Sequence, residues 1–172
     1  VLGGDRGDYG PYRQSQRASI YHVYAKQLVR EGKAYPCFCT DEEIQTLSQT
    51  DKKAEIKNKD WHEDAEAARL QMLKQREFTI EEVEAEIKAG HKFVLRILAD
   101  GDPNKKVPFT DLIKGKLEIP ENDEDFVLLK SDGIPTYHFA HAIDDHFMRT
   151  TLVIRGEEWL SSLPIHIELF KV

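Results

Sequence analysis

The sequence predicts an α/β fold: part of a parallel sheet, interrupted by an inserted α+β module. Two observations carry this expectation. The last third reads strand–helix–strand–helix, with "FVLLKS" and "TLVI" on either side of a helix from Tyr137 to Met148, a βαβ unit with its right-handed crossover. Both runs are apolar without alternation, as strands buried on two faces are. The middle of the chain differs from this tail in composition and periodicity, so it reads as a separate module. The expected boundaries are 1–34 for the first part of the α/β domain, 35–125 for the insertion and 126–172 for the second part.

The elements follow in order. After a glycine-rich start ending "GPYRQSQR", a helix from Ser15 carries Ile20, Val23, Tyr24 and Leu28 at helical spacing, and Gly32 closes it as a left-handed cap. "AYPCFC" reads as a short strand. Thr40 with Glu43 forms a capping box and starts a helix through Leu47. From about Gln49 to Gln75 the chain is charged and alanine-rich, a solvated helical excursion with Trp61, Leu70 and Leu73 as its few core candidates. A second capping box, Thr79 with Glu82, opens a helix bearing Val83 and Ile87 that Gly90 closes. "KFVLRIL" is strand-like, "DGDPNKK" is turn chemistry, and "VPFTDLIKGKLEI" reads as a hairpin. "DGIPT" turns the chain into the Tyr137 helix, and Gly156 begins a final helical stretch.

A 172-residue chain with 40% hydrophobic residues can bury a core. No window approaches the roughly eighteen consecutive apolar residues of a membrane span, and no basic-then-apolar leader opens the sequence. A formal net charge of −7 argues against a general polyanion binder, while leaving room for local contacts to nucleic acid. Cys37 and Cys39 sit at C-x-C spacing, which seldom closes a disulfide, so a reduced, cytoplasmic setting is expected. The chain starts at Val1 and stops within an apolar helical pattern, "IHIELFKV", so it is expected to be a piece of something longer.

The chemistry concentrates in "YHFAHAIDDHFMRTTLVIRGEEWL", residues 137–160. In α/β sheets ligands bind beyond the carboxyl ends of the strands. Arg155 stands at that end of "TLVI", with Glu157, Glu158 and Trp159 on the following turn. Tyr137 and His141 are four apart and share a helix face. An arginine grips carboxylates in bidentate fashion. A tyrosine orients one hydrogen bond, a glutamate accepts from ribose hydroxyls or an ammonium, and a tryptophan supplies a flat surface. The plainer reading is helix-dipole complementation by the two glutamates, an ion pair and a core tryptophan. His138, His141, Asp144, Asp145 and His146 also invite a metal reading, yet their spacing matches no strong metal motif, and an Asp four after a His commonly orients it. Cys37 and Cys39 are half of a possible zinc site, with His62 as a lone further candidate; two buried strand cysteines explain them better.

Beside this reading stands a resemblance. "GPYRQSQR", "GKAYPCFCT", "FTDLIKG" and "LLKSDGIPTYHFAHAIDDHFMRTTLVIRGEEWLSSLPIHIELF" resemble the bacterial glutamyl-tRNA synthetases, over essentially the whole chain and most specifically over 126–170. The resemblance implies a partial Rossmann-type domain interrupted by a tRNA acceptor-stem-binding module. It implies an enzyme that activates glutamate with ATP and Mg2+, then transfers it to the 3′ end of tRNA(Glu). By motif matching, Tyr137, His141 and Arg155 fall where the family contacts glutamate, and Glu158 and Trp159 where it contacts ATP. The sequence departs from the family in three ways. Many members carry Asn at the position of His141. The HIGH and KMSKS motifs do not occur in these residues, so no catalytic residue is assigned and this stretch is expected to be inactive alone. Of the zinc-binding pattern some members show, only the C-x-C half is present, so zinc is not expected. A monomeric parent is expected, with an exposed sheet edge in this piece open to a second copy. The neighbouring alternatives are a glutaminyl-tRNA synthetase or the paralogue that glutamylates a tRNA base. From other classes come a metal-dependent hydrolase on the His/Asp cluster and a non-catalytic RNA-binding module in the insertion.

Overall fold

The computed structural model describes residues 6–39 and 69–172. A 3-10 turn at Gln14–Gln16 leads into helix α1 (Ala18–Arg30), followed by strand β1 (Ala34–Cys37). Helix α2 (Ile80–Lys88) and strands β2 (Val94–Ile97), β3 (Lys106–Asp111), β4 (Gly115–Pro120) and β5 (Val127–Leu129) come next. Helix α3 (Tyr137–Phe147), a 3-10 segment (Glu157–Ser162) and helix α4 (Leu163–Lys171) complete the order.

The helix ends follow from local chemistry. At α2, Thr79 accepts from the Glu82 backbone while the Glu82 carboxylate reaches back to the Thr79 N–H, both halves of the expected box. Gly32 and Gly90 end α1 and α2 at positive φ (68° and 84°). The next residue's N–H then turns back to a carbonyl of the last turn, Lys33 to Leu28 and His91 to Glu86. Helix α3 ends the same way without a glycine: Arg149 takes φ 54°, and Thr150 N–H bonds the Asp145 carbonyl. The guanidinium of Arg149 lies over the Tyr9 ring.

Strands β1, β2 and β5 form one sheet, in the order β1-β2-β5, and β3 and β4 form a separate hairpin. One face of the three-stranded sheet carries the main core. Leu95, Ile97 and Leu128 meet Tyr21, Ala25 and Leu28 of α1, Phe139, Ala140 and Ile143 of α3, and Leu169 of α4. The alternate positions Tyr35, Cys37 and Cys39 face a smaller cluster with Met72, Val94 and Leu98, as the two-residue period of a strand requires. Asp125 ties this side together. Its carboxylate accepts from Tyr35, Arg76 and the Ala99 N–H, while Arg96 donates to its backbone carbonyl.

The expected parallel sheet is corrected by the strand pairings: every ladder among the described residues is antiparallel. After β5 the chain doubles back at Gly133, bridging Leu129 to Pro135. β5 itself keeps only three residues against β2, across a register shift at Leu95/Arg96. "TLVI" is not a strand. Leu152, Val153 and Ile154 are 57%, 49% and 84% exposed. An apolar run becomes a buried strand only where neighbours supply hydrogen bonds on both sides, and no described strand lies alongside it.

The α1 face also differs from its spacing-based reading. Tyr21, Ala25 and Leu28 are buried, Ile20 and Tyr24 pack at the flank, and Val23 points outward. The main core draws on all three stretches, 1–34, 35–125 and 126–172. The Thr40 box, the helix through Leu47, Trp61 and His62 lie outside the described residues. At the end of the charged excursion, Leu70 is exposed, Leu73 is half-buried and Gln75 is buried.

Candidate functional site

Helix α3 sets the frame of the site. Buried Arg17 donates from Nε to Asp144 Oδ1 at 2.7 Å, and Tyr21 donates its hydroxyl to Asp144 Oδ2 at 2.8 Å. These contacts fix the rotation of α3 against α1. The next residue, Asp145, therefore faces the other way and takes His141 Nδ1 at 2.7 Å. The adjacent aspartates thus separate: one locks the helix, the other orients a histidine.

An ionised carboxylate only accepts, so His141 donates from Nδ1, and its neutral ring presents Nε2 as an acceptor. Burial holds the His141 pKa below the usual imidazole range, with the attraction of Asp145 opposing it. Four residues earlier, Tyr137 stacks on His141 with ring centroids 5.8 Å apart at 16°. Tyr137 also meets Trp159 at 5.0 Å.

Arg155 is the cation of the cluster. Its guanidinium carbon lies 5.3 Å from the Tyr137 ring centre and 5.2 Å from that of Trp159. Nη1 approaches His166 Nδ1 at 3.3 Å, and His166 Nε2 in turn lies 2.9 Å from His138 Nδ1. Burial, then the nearby His141, Arg155 and His138, push the His166 pKa down to about 4. Burial and Arg155 lower that of His138 as well.

These groups border a cleft of about 750 Å3 between the β3–β4 hairpin, the end of α3, the 150–156 segment and α4. His141, Arg155, Trp159 and His166 line it. Tyr137 and Glu158 do not: Tyr137 joins through its ring contacts, and Glu158 stands exposed with its carboxylate folded against Gly156. At one end Lys114 Nζ reaches Glu157 Oε1 at 2.6 Å, linking the hairpin turn to the start of the 3-10 segment. Chemically the cleft offers a cation seated against a pair of touching aromatic rings, a neutral imidazole acceptor and a flat indole. That set suits an anion carrying a nearby ammonium group.

Of the residues singled out from sequence, the structure gathers Tyr137, His141, Arg155 and Trp159 and leaves Glu158 at the rim. His166 was missed. It sits in "PIHIELF", whose apolar periodicity reads as core, and the one available signal was a histidine on the buried face of an apolar helix. His138 bonds His166, not a carboxylate, and His146 is exposed. Among the described residues no three His, Cys, Asp or Glu side chains are grouped to hold a metal ion. Cys37 and Cys39 are buried free thiols, and a hydrogen bond between them, with Arg96 nearby, brings the Cys37 pKa down to about 6 against the opposing effect of burial.

Comparison with known proteins agrees over nearly the full length. Residues 2–172 match the family described as tRNA synthetases class I (E and Q), catalytic domain. The chain is 53% identical over 167 residues to a glutamate–tRNA ligase of Clostridium beijerinckii, covering 97% of this chain and 29% of that protein. It is 47% identical to one of Sorangium cellulosum, over 96% of this chain and 28% of the relative. The fold superposes on the crystal structure of a glutamate tRNA ligase from Elizabethkingia meningosepticum, solved in complex with its amino acid, with a TM-score of 0.73 and 35% identity. That match covers 96% of this chain and 32% of the other. The chain thus spans under a third of the length of these relatives.

Proposed function

This chain belongs to the class I tRNA synthetase (E and Q) catalytic-domain family, and from that premise we propose that it supplies pocket walls of a glutamate–tRNA ligase. The relatives named above are glutamate–tRNA ligases, which favours glutamate over glutamine as the amino acid. The observation that carries the reading is Arg155, seated at the cleft against the paired rings of Tyr137 and Trp159 with guanidinium hydrogens left for a carboxylate.

In this reading Arg155 grips a carboxylate of glutamate, the Tyr137 ring backs the guanidinium, and His141 Nε2 accepts from the α-ammonium. His141 can do so because burial keeps it neutral at pH 7 while Asp145 fixes its tautomer. Trp159 supplies a face for the nucleotide. Glu158, whose carboxylate makes no hydrogen bond among the described residues, accepts from the ribose hydroxyls. ATP with its Mg2+ would supply the activated phosphate. The reaction is adenylation of glutamate with release of pyrophosphate, followed by transfer of the glutamyl group to the 3′ end of tRNA(Glu) with release of AMP, in a cytoplasmic enzyme.

Residues 35–125 serve as the acceptor-stem module inserted between the two parts of the catalytic domain, 1–34 and 126–172, with which they share one core. An exposed edge of the sheet in this piece is the place where a second copy would add.

The test is tRNA glutamylation by the full-length protein. Arg155→Ala should raise the KM for glutamate about 100-fold, the loss of roughly 2–3 kcal/mol of charge-assisted hydrogen bonding. The KM for ATP should move far less. A glutamate KM within twofold of the parent would reject the reading.

A further inference from the structure

We propose that His166 is the positioning residue for Arg155, holding the guanidinium at a set rotation through a one-way hydrogen-bond relay that ends on His138. This rests on the reading above, in which Arg155 takes the carboxylate. The rings of Tyr137 and Trp159 lie together against the guanidinium, 5.3 and 5.2 Å from its carbon and 5.0 Å from each other, but a ring face does not choose which nitrogen points where. An acceptor in the guanidinium plane does choose.

His166 Nδ1 is that acceptor, 3.3 Å from Nη1. Arginine has donors only, so this contact requires Nδ1 to be unprotonated. The neutral ring then carries its proton on Nε2, which donates to His138 Nδ1 at 2.9 Å. His138 in its turn must hold its own proton on Nε2. Every step has one permitted direction, and the direction is set by the arginine. His166 is only 6% exposed, so water does not compete for Nδ1. The His141 ring stands edge-on at 4.7 Å and closes the other side. The lowered pKa of His166 agrees with a ring that has to stay neutral beside a cation.

Side-chain replacements separate positioning from packing. Asparagine places its amide oxygen near the position of Nδ1 and keeps the acceptor. Glutamine carries its amide out to the position of Nε2, and phenylalanine keeps the ring with no acceptor. In steady-state glutamylation by the full-length protein, His166→Phe should raise the glutamate KM about tenfold, the loss of one hydrogen bond to a charged group. Its kcat and ATP KM should stay within about twofold. His166→Asn should return the glutamate KM to within about threefold of the parent, and His166→Gln should behave like the phenylalanine variant. If His166→Phe fails to fold, the asparagine–glutamine pair decides by itself.

Equal KM values for all three variants would overturn the proposal, as would an asparagine variant as impaired as the phenylalanine one. Arg155→Ala separates the two levels. If it raises the glutamate KM while His166 variants do nothing, only the positioning role falls; if it has no effect, the carboxylate-binding reading falls and takes this one with it.

Discussion

Removing the Asp144 carboxylate should unlock α3 from α1. Arg17 is 2% exposed, and its guanidinium has three nitrogens to account for. Nη1 donates to the Pro11 carbonyl at 2.9 Å, Nε donates to Asp144 at 2.7 Å, and Nη2 is buried with no partner among the described residues. Asp144→Ala would leave two nitrogens of a buried cation unpaired and strip the Tyr21 hydroxyl of its acceptor. Breaking a buried pair from one side costs about 3–5 kcal/mol. Asp144 is itself 22% exposed, so water can reach part of the gap, and a value of about 3 kcal/mol is expected. Native-state hydrogen exchange in the full-length protein is the suitable assay, because it reports local opening of α1 and α3. Their slowest amides should exchange roughly 100-fold faster. Replacing both partners, as in Arg17→Met with Asp144→Ala, should recover much of the loss, since no charge is then stranded. A single-variant loss under about 1 kcal/mol, or a double variant worse than Asp144→Ala, would refute the view that this pair is held by its mutual neutralisation.

Two further outcomes follow from the same structure. Asp145→Ala should disturb function more than stability: the His141 tautomer is released, the glutamate KM rises about three- to tenfold, and protection of α3 falls by about 1 kcal/mol or less; an unchanged KM would remove His141 from the pocket. Burial pushes the Glu168 pKa up to about 7, opposed by the Asn122 amide. The unfolded chain loses this proton near pH 4.5 and the folded one only near 7, so the contribution is fully present below 4.5 and is lost as pH rises through 7. Glu168→Gln should therefore stabilise the protein by about 1–2 kcal/mol at pH 8, discounted for partial exposure, and by nothing near pH 4.5. A stability difference that does not change with pH, measured by denaturant titration, would count against burial as the cause.

What the sequence determined by itself was local. The Thr79–Glu82 box, the glycine ends of α1 and α2, the β3–β4 hairpin and the pairing of His141 with an aspartate one turn on all depend on residues a few positions apart. Short-range sterics and hydrogen bonding settle such features wherever the segment lies. The shared face of Tyr137 and His141 was legible for the same reason, while Arg155 and Trp159 stood out by following the apolar run "TLVI", and the family resemblance marked them too. The tertiary structure decided which strand meets which. "FVLLKS" and "TLVI" look alike as apolar runs, yet Leu128 is buried in an antiparallel sheet while Ile154 is 84% exposed. Hydrophobicity states that a run favours burial, and only the neighbours state whether a partner exists. The division of Asp144 from Asp145 and the placing of His166 against Arg155 are of the same kind. They depend on the rotation of α3 and on contacts between residues distant in the chain, and neither is written in any one segment.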